Sequence, residues 1–217
     1  TTLRRCNIHD TAGVASNGQG FVFEDNRVHH NGWDAPDRGH GHGLYIQNNG
    51  ARCYVRRNMF VDGYGWNIHG YGVNGYVNFL TFEDNVAVNA GSPGDGSNNN
   101  LLTGAEVRVA QSPELRRNLS YGANGINLGY NAGATDAVLT DNVAPDGITV
   151  VNTTFAENSG NVTDITTLTI YVIPTSYGEL VVVYNPDGRD TVTVDVTLAA
   201  GAAYRPAAHW RCGRFAG

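Results

Sequence analysis

The stretch Phe23-Glu24-Asp25-Asn26 decides how this chain is read, because its frame keeps returning. Val55-Arg56-Arg57-Asn58, Phe82-Glu83-Asp84-Asn85, Leu115-Arg116-Arg117-Asn118 and Leu139-Thr140-Asp141-Asn142 repeat it, Leu3-Arg4-Arg5-Cys6 precedes with Cys in the Asn slot, and Phe155-Ala156-Glu157-Asn158 follows more loosely. Each copy is an apolar residue, two polar residues and an Asn, usually followed by a short apolar run. Self-similarity at this spacing marks a solenoid, whose units bury their apolar faces only against one another. The Asn-to-Asn steps are 32, 27, 33 and 24 residues. Strand coils joined by loops of variable size accept such variation, and no run of ten residues shows a helical apolar period.

The two residues before each Asn alternate in sign: Arg-Arg, Glu-Asp, Arg-Arg, Glu-Asp, Arg-Arg, Thr-Asp. Equivalent residues of stacked parallel strands lie about 4.8 Å apart, so like charges repel and opposite ones form a vertical ladder. An exposed pair contributes only about 0.2–1 kcal/mol, which makes the ladder a register device above all. These segments are therefore expected to be neighbours in sequence order, and parallel.

A second frame lies between the Asn copies. It reads Gly43-Leu44-Tyr45-Ile46, Gly65-Trp66-Asn67-Ile68, Gly125-Ile126-Asn127-Leu128 and Gly147-Ile148-Thr149-Val150, with weaker copies at Gly13-Val14-Ala15-Ser16 and Asn100-Leu101-Leu102-Thr103. Two apolar residues at period two flank a polar one that faces outward. Each coil thus holds at least two short strands. Together the Asn frame, the Gly-opened strands and the variable coil length resemble the right-handed parallel β-helix of the pectate-lyase-like superfamily, over residues 1–158. GHGLYIQNN (41–49) followed by GYGWNIHGYG (63–72) is similar to a group of secreted bacterial β-helix proteins. The resemblance implies a secreted or cell-surface location and carbohydrate-active chemistry, usually cleavage of acidic polysaccharides on the outer face of one sheet. A fold does not by itself fix an activity.

Composition fits a single turn-dense β solenoid with a small appendage: 217 residues, 28 of them Gly, 41% hydrophobic. The net charge of −6 and the absence of any basic run longer than two residues argue against a nucleic-acid partner. All basic residues are Arg, which removes Lys as base or Schiff-base former. Cys6, Cys53 and Cys212 form no framework and no CxxC, and their pairing stays open. No stretch reads as a membrane span or a signal peptide. Thr1 already stands in the repeat, so a preceding segment or a partner chain is expected to cover the N-terminal end of the stack.

Residues 30–43 form the longest insertion of functional character. Trp33 lies in it as a sugar platform. Asp34, Asp37, His40 and His42 within one loop are of the type that ligates a divalent metal such as calcium, although their spacing matches no established motif and a polar Gly-spaced turn is the favoured reading. With Leu44 and Ile46 inward, Tyr45 and Gln47 face out. With Trp66 and Ile68 inward, Asn67 and His69 face out, which puts Tyr45 over Asn67 and Gln47 over His69. Asn127 and Thr149 continue that column. Such a row offers hydroxyl-directed hydrogen bonds and an aromatic face to a polysaccharide or oligosaccharide. His69, Tyr45, His42 and Tyr71 are the candidate catalytic groups, and His69 is the expected general base.

A lyase also needs a cation for the uronate carboxylate, and Arg38, Arg52 and Arg108 stand outside the charge ladder. An inverting glycosidase needs two carboxylates roughly 6.5–9.5 Å apart. Asp62, Asp95 and Glu106 are available, but no stacked pair stands out. A second polar loop, 91–100, is expected to wall the same cleft.

Beyond Asn158 the pattern changes. Leu168–Ile173, Glu179–Tyr184 and Thr191–Leu198 read as alternating strands, with an Asn185-Pro186-Asp187-Gly188 turn, so residues 159–217 are expected to form a small antiparallel β module. Three functions stay open: lyase-like cleavage at a His/Tyr site, a non-catalytic glycan-binding or purely structural β-helix such as an adhesin or fibre, and inverting hydrolysis.

Overall fold

The computed structural model describes residues 1–34, 41–91, 99–165, 169–175 and 178–184. Among them every regular element is a β-strand, and no helix is long and apolar enough to cross a membrane. Three parallel sheets run along the stack, and each full coil contributes one short strand to each. The all-β solenoid expected from the repeat is the observed architecture.

The first sheet carries the Asn frame. Its strands are Thr2–Arg4, Val22–Glu24, Cys53–Arg56, Leu80–Glu83, Glu114–Arg116, Ala134–Thr140 and Thr153–Ser159, with the two-residue Ala110–Gln111 also paired to Ala134–Thr140. Leu3, Phe23, Val55, Phe82, Leu115 and Leu139 are in register, and all but Leu3 are at most 2% exposed. Each buried side chain of this size stabilises the fold by about 1.5–3 kcal/mol. The run after each Asn makes the second sheet: Asn7–His9, Arg27–His29, Met59–Val61, Val86–Val88 and Leu119–Tyr121. The third sheet comprises Val14–Ser16, Leu44–Ile46, Ile68–Gly72, Leu101–Ala105, Ile126–Leu128 and Ile148–Val150.

The corner between the first two sheets explains the Asn. In every coil the residue before it is left-handed: Arg5, Asp25, Arg57, Asp84, Arg117 and Asp141 have φ of 60°, 57°, 54°, 53°, 50° and 56°. That conformation disfavours an L-residue and needs local compensation. The Asn provides it. Cys6, Asn26, Asn58, Asn85, Asn118 and Asn142 each donate their backbone N–H to the Asn side-chain oxygen one coil on, at 2.9–3.2 Å. Each Asn amide also donates backwards, Asn85 to the Val55 carbonyl at 2.8 Å for example. Cys6 occupies the slot as expected, contributing its backbone. The last rung is Asn161 instead of Asn158, because shifts of register within 134–140 and 153–159 move the looser copy out of phase.

The alternating charges do meet. Arg56 contacts Glu24 at 2.9 Å, Arg57 contacts Asp25 and Glu24 at 3.0 Å, and Arg117 contacts Glu83 and Asp84 at 2.5 and 2.8 Å. The carboxylates are more enclosed than a surface ladder implies: the Asp25 side chain is 1% exposed. Burial alone would raise the Glu24 carboxyl, but the bonds and charges of Arg56 and Arg57 outweigh it and hold it below its ordinary value.

Asn also fills the other two corners. Asn31, Asn67 and Asn100 are at most 1% exposed between the second and third sheets, and Asn48 and Asn78 are 3% exposed between the third and first. Strands Thr169–Thr175 and Gly178–Tyr184 pair antiparallel, as two strands of the C-terminal module were expected to. The third, Thr191–Leu198, lies outside the described residues.

Candidate functional site

The outward residues of the third sheet form one column in register: Ala15, Tyr45, His69, Leu102, Asn127 and Thr149. The expected pairing of Tyr45 over Asn67 and Gln47 over His69 is two residues out. Leu44 pairs with Ile68, so Tyr45 lies beside His69, and Gln47 falls opposite Tyr71. Asn67 is the corner residue before the strand. It is 1% exposed, donates to the Val88 carbonyl and to Asn100 Oδ1 at 2.8 and 2.9 Å, and accepts from the Gly63 N–H. Its side chain holds the corner and does not face a ligand.

Two glycines seat His42 in this column. At Gly13, with φ of +92°, a Cβ would fall 1.5 Å from the His42 carbonyl oxygen. At Gly65 it would fall 2.3 Å from the Gly41 oxygen and 3.0 Å from His42 Nδ1. Backbone on both sides of His42 approaches so closely that no side chain fits. Gly65 therefore serves the close approach of loop 30–43 and does not open a strand, which is why the frame read through Gly65-Trp66 slips.

The result is a packed aromatic cluster. The His69 ring lies parallel to Trp66 at 4.4 Å and to Tyr71 at 4.7 Å, and edge-on to His42 and Tyr45 at 4.7 and 5.4 Å. His69 Nδ1 is 3.4 Å from His42 Nε2. His69 is 6% exposed, whereas His42, Tyr45, Trp66 and Tyr71 are half-buried and reach the surface. Burial first, and His42 second, hold the His69 imidazole well below its ordinary value, so it is neutral at pH 7.

Tyr71 leads to groups on the next coils. Its hydroxyl donates to Glu106 Oε1 at 2.5 Å, and Asn131 Nδ2 donates to Glu106 Oε2. The Tyr130 ring meets Tyr71 edge-on at 5.5 Å. Burial and then Glu106 push the Tyr71 phenol well above its ordinary value, so it stays protonated. Gln47 does not face a ligand with its amide nitrogen, which donates to the Tyr45 hydroxyl at 2.8 Å and the Tyr71 carbonyl at 2.9 Å. It positions both tyrosines.

The other predicted residues are more scattered. Asn127 lies on the column two coils from His69, with the buried Leu102 between them, and its Oδ1 is buried with no hydrogen-bond partner among the described residues. The indole N–H of Trp66 is in the same state. Arg108 stacks on Tyr76 at 4.3 Å and donates to the Asn74 carbonyl and the Tyr76 hydroxyl at 2.9 Å. Trp33 is 49% exposed and Asp34 is exposed, at the opening of loop 30–43. Asp37, Arg38 and His40, most of loop 91–100, and Cys212 lie outside the described residues. Among those described, no three His, Cys, Asp or Glu side chains converge on a metal position, and Cys6 and Cys53 are free thiols.

Trp66, Tyr130, Asn131 and Glu106 complete the cluster beyond the expected four. Glu106 carried a signal as an acid outside the charge ladder. The Gly65-Trp66-Asn67-Ile68 frame counts Trp66 as an inward strand residue, but the strand begins at Ile68 and Trp66 lies ahead of the Asn67 corner. No family model, no curated protein and no solved structure matches this chain.

Proposed function

We propose that the chain is a secreted carbohydrate-active protein that cleaves a polysaccharide by a lyase-like elimination, at the His42–His69–Tyr71 cluster on the outer face of the third sheet. One observation carries this reading: an enclosed His69 lies in register beside Tyr45, in contact with His42, while the neighbouring Tyr71 hydroxyl is bonded at 2.5 Å to Glu106. An imidazole couple and a protonated phenol are the base and acid that an elimination requires. The histidine couple takes the proton next to the sugar carboxylate. That electron pair forms the new carbon–carbon double bond as the glycosidic C–O bond breaks, and Tyr71 protonates the departing oxygen. Glu106 disfavours the phenolate, so the proton held by the couple returns to Tyr71. The tyrosine rings and Trp66 supply faces for sugar stacking.

Inverting hydrolysis is less well supported, because among the described residues this cluster contains one carboxylate, Glu106, where that reaction needs two. Glycan binding without cleavage is the second reading. The burial of His69 and the closely packed rings around it also suit a rigid binding platform. A panel of polysaccharides assayed for unsaturated products and for new reducing ends separates the three. Unsaturated ends that disappear in Tyr71→Phe support elimination, reducing ends without unsaturation support hydrolysis, and binding without either product supports the platform.

A further inference from the structure

A second constellation of titratable groups lies away from this cluster, on the outer side of the second sheet and across three coils. His9 and Asp10 belong to the first coil, His29 and His30 to the next, and Asp62 to the third. His9 and His29 are in register, with rings stacked at 5.0 Å and 9°. His29 ends its strand, and His30 takes a left-handed φ of 52°, which turns its ring back toward its neighbour. The two rings meet edge to face, and their Nδ1 atoms are 2.7 Å apart.

The far sides of the two rings fix the tautomers. His29 Nε2 is 3.0 Å from Asn7 Oδ1, and His30 Nε2 faces Asp62 Oδ2 at 3.5 Å. Asn89 Nδ2 holds Asp62 by donating to its other oxygen at 3.1 Å. Asn7 Oδ1 is an acceptor, so His29 Nε2 carries the N–H and its Nδ1 is left as a lone pair, while the Asp62 carboxylate favours a proton on His30 Nε2. The two Nδ1 atoms then lie 2.7 Å apart on nearly perpendicular rings, close enough to share either one proton or one cation set to the side of the line between them. A carboxylate or carbonyl on the distal N–H is also what metal-bound histidines ordinarily have.

We propose that His29 and His30 chelate a divalent transition-metal ion through their Nδ1 atoms, with Asp62 and Asn7 orienting the rings and solvent filling the remaining positions. At a metal–nitrogen distance of about 2.0 Å, a 2.7 Å separation gives an N–metal–N angle of about 85°. That is the cis angle of square or octahedral coordination, which suits copper(II) or nickel(II) better than tetrahedral zinc. Asp10, bonded to His9 Nδ1 at 2.7 Å, adds negative charge near both rings. The His30 side chain is 55% exposed, which leaves an entry path.

The test is titration of the whole chain with copper(II) and with nickel(II) at neutral pH, followed by calorimetry and by copper electron paramagnetic resonance. The expected result is one equivalent bound with hyperfine coupling to two imidazole nitrogens. His29→Gln and His30→Gln should each weaken it tenfold or more. Asp62→Asn, which leaves both ligands in place, should weaken it about 10–100-fold. His42→Gln should leave it unchanged. Two results overturn the proposal: binding that survives both His29→Gln and His30→Gln, or absence of binding to the intact chain, in which case nitrogen NMR should show one proton shared between the two rings.

Discussion

The Asn corner and the outer face of the third sheet are built on the same coils, yet they obey opposite rules. At the corner each coil presents the same demand, a left-handed residue followed by a buried backbone N–H, and Asn26, Asn58, Asn85, Asn118, Asn142 and Asn161 answer it identically. On the third sheet the column changes at every step, from Ala15 through Tyr45, His69, Leu102 and Asn127 to Thr149. Repetition marks what backbone geometry requires of every coil. Variation marks where the side chains are released from that requirement, and there the titratable and aromatic groups gather.

That contrast predicts that the two regions fail differently when mutated. On a confirmed substrate, His42→Gln and Tyr71→Phe should each lower turnover by about 100- to 10,000-fold while shifting the denaturant midpoint little. Initial rates and a urea melt on the same preparations check both halves. His69 is a poorer probe, because its stacking on Trp66 and Tyr71 means that His69→Ala also removes packing.

At the corner the loss should fall on stability. Asn85→Ala deletes bonds to Asn58, Val55 and Asn118 and leaves buried backbone groups unpaired, at about 3–5 kcal/mol. A midpoint unchanged in urea would show that the ladder is decorative.

Reversing the charge ladder with Arg56→Glu and Arg57→Glu sets two more acids against Glu24 and Asp25, whose side chains are 11% and 1% exposed. We expect a loss of about 2–3 kcal/mol, greater at low salt. Melting in low and high salt tests it.

Acid should also act through buried histidine. His69 and His29 have folded pKa values below the unfolded one, so below a pH of about 6.5 the unfolded chain binds protons that the folded chain refuses, and stability falls as pH falls. Glu24, whose folded value is depressed, extends the loss to lower pH. The limiting slope for His69 alone is about 1.4 kcal/mol per pH unit. Melting curves between pH 7 and pH 5 should flatten in His69→Gln.

The smallest effect is expected at Asn127. Its Oδ1 is buried with no partner among the described residues, so Asn127→Ala should be close to neutral in stability. If it faces the glycan, binding weakens several-fold in the same variant, which isothermal titration would show.

Much of this is legible in the amino-acid sequence itself. The corner could be read because its requirement is local and recurs: a left-handed turn and an unpaired N–H call for the same residue type in each coil, and the alternating charges confirm which coils touch. The third-sheet register at 65–68 could not be read the same way. Gly65 satisfies the Gly-apolar frame as written, but its space is taken by the Gly41 carbonyl and His42 from the preceding coil. Only the tertiary approach of that loop makes Asn67 the corner and sets the outward His69 beside Tyr45.

Sequence alone thus determined the solenoid, the order and parallel sense of its coils, and the Asn and charge ladders, because each follows from contacts that every coil repeats. The tertiary structure alone decided which side chains meet between coils. The enclosure of His69 by Trp66 and Tyr71, the reach of Tyr71 to Glu106, and the opposed Nδ1 atoms of His29 and His30 depend on loop paths and ring orientations that no periodicity encodes.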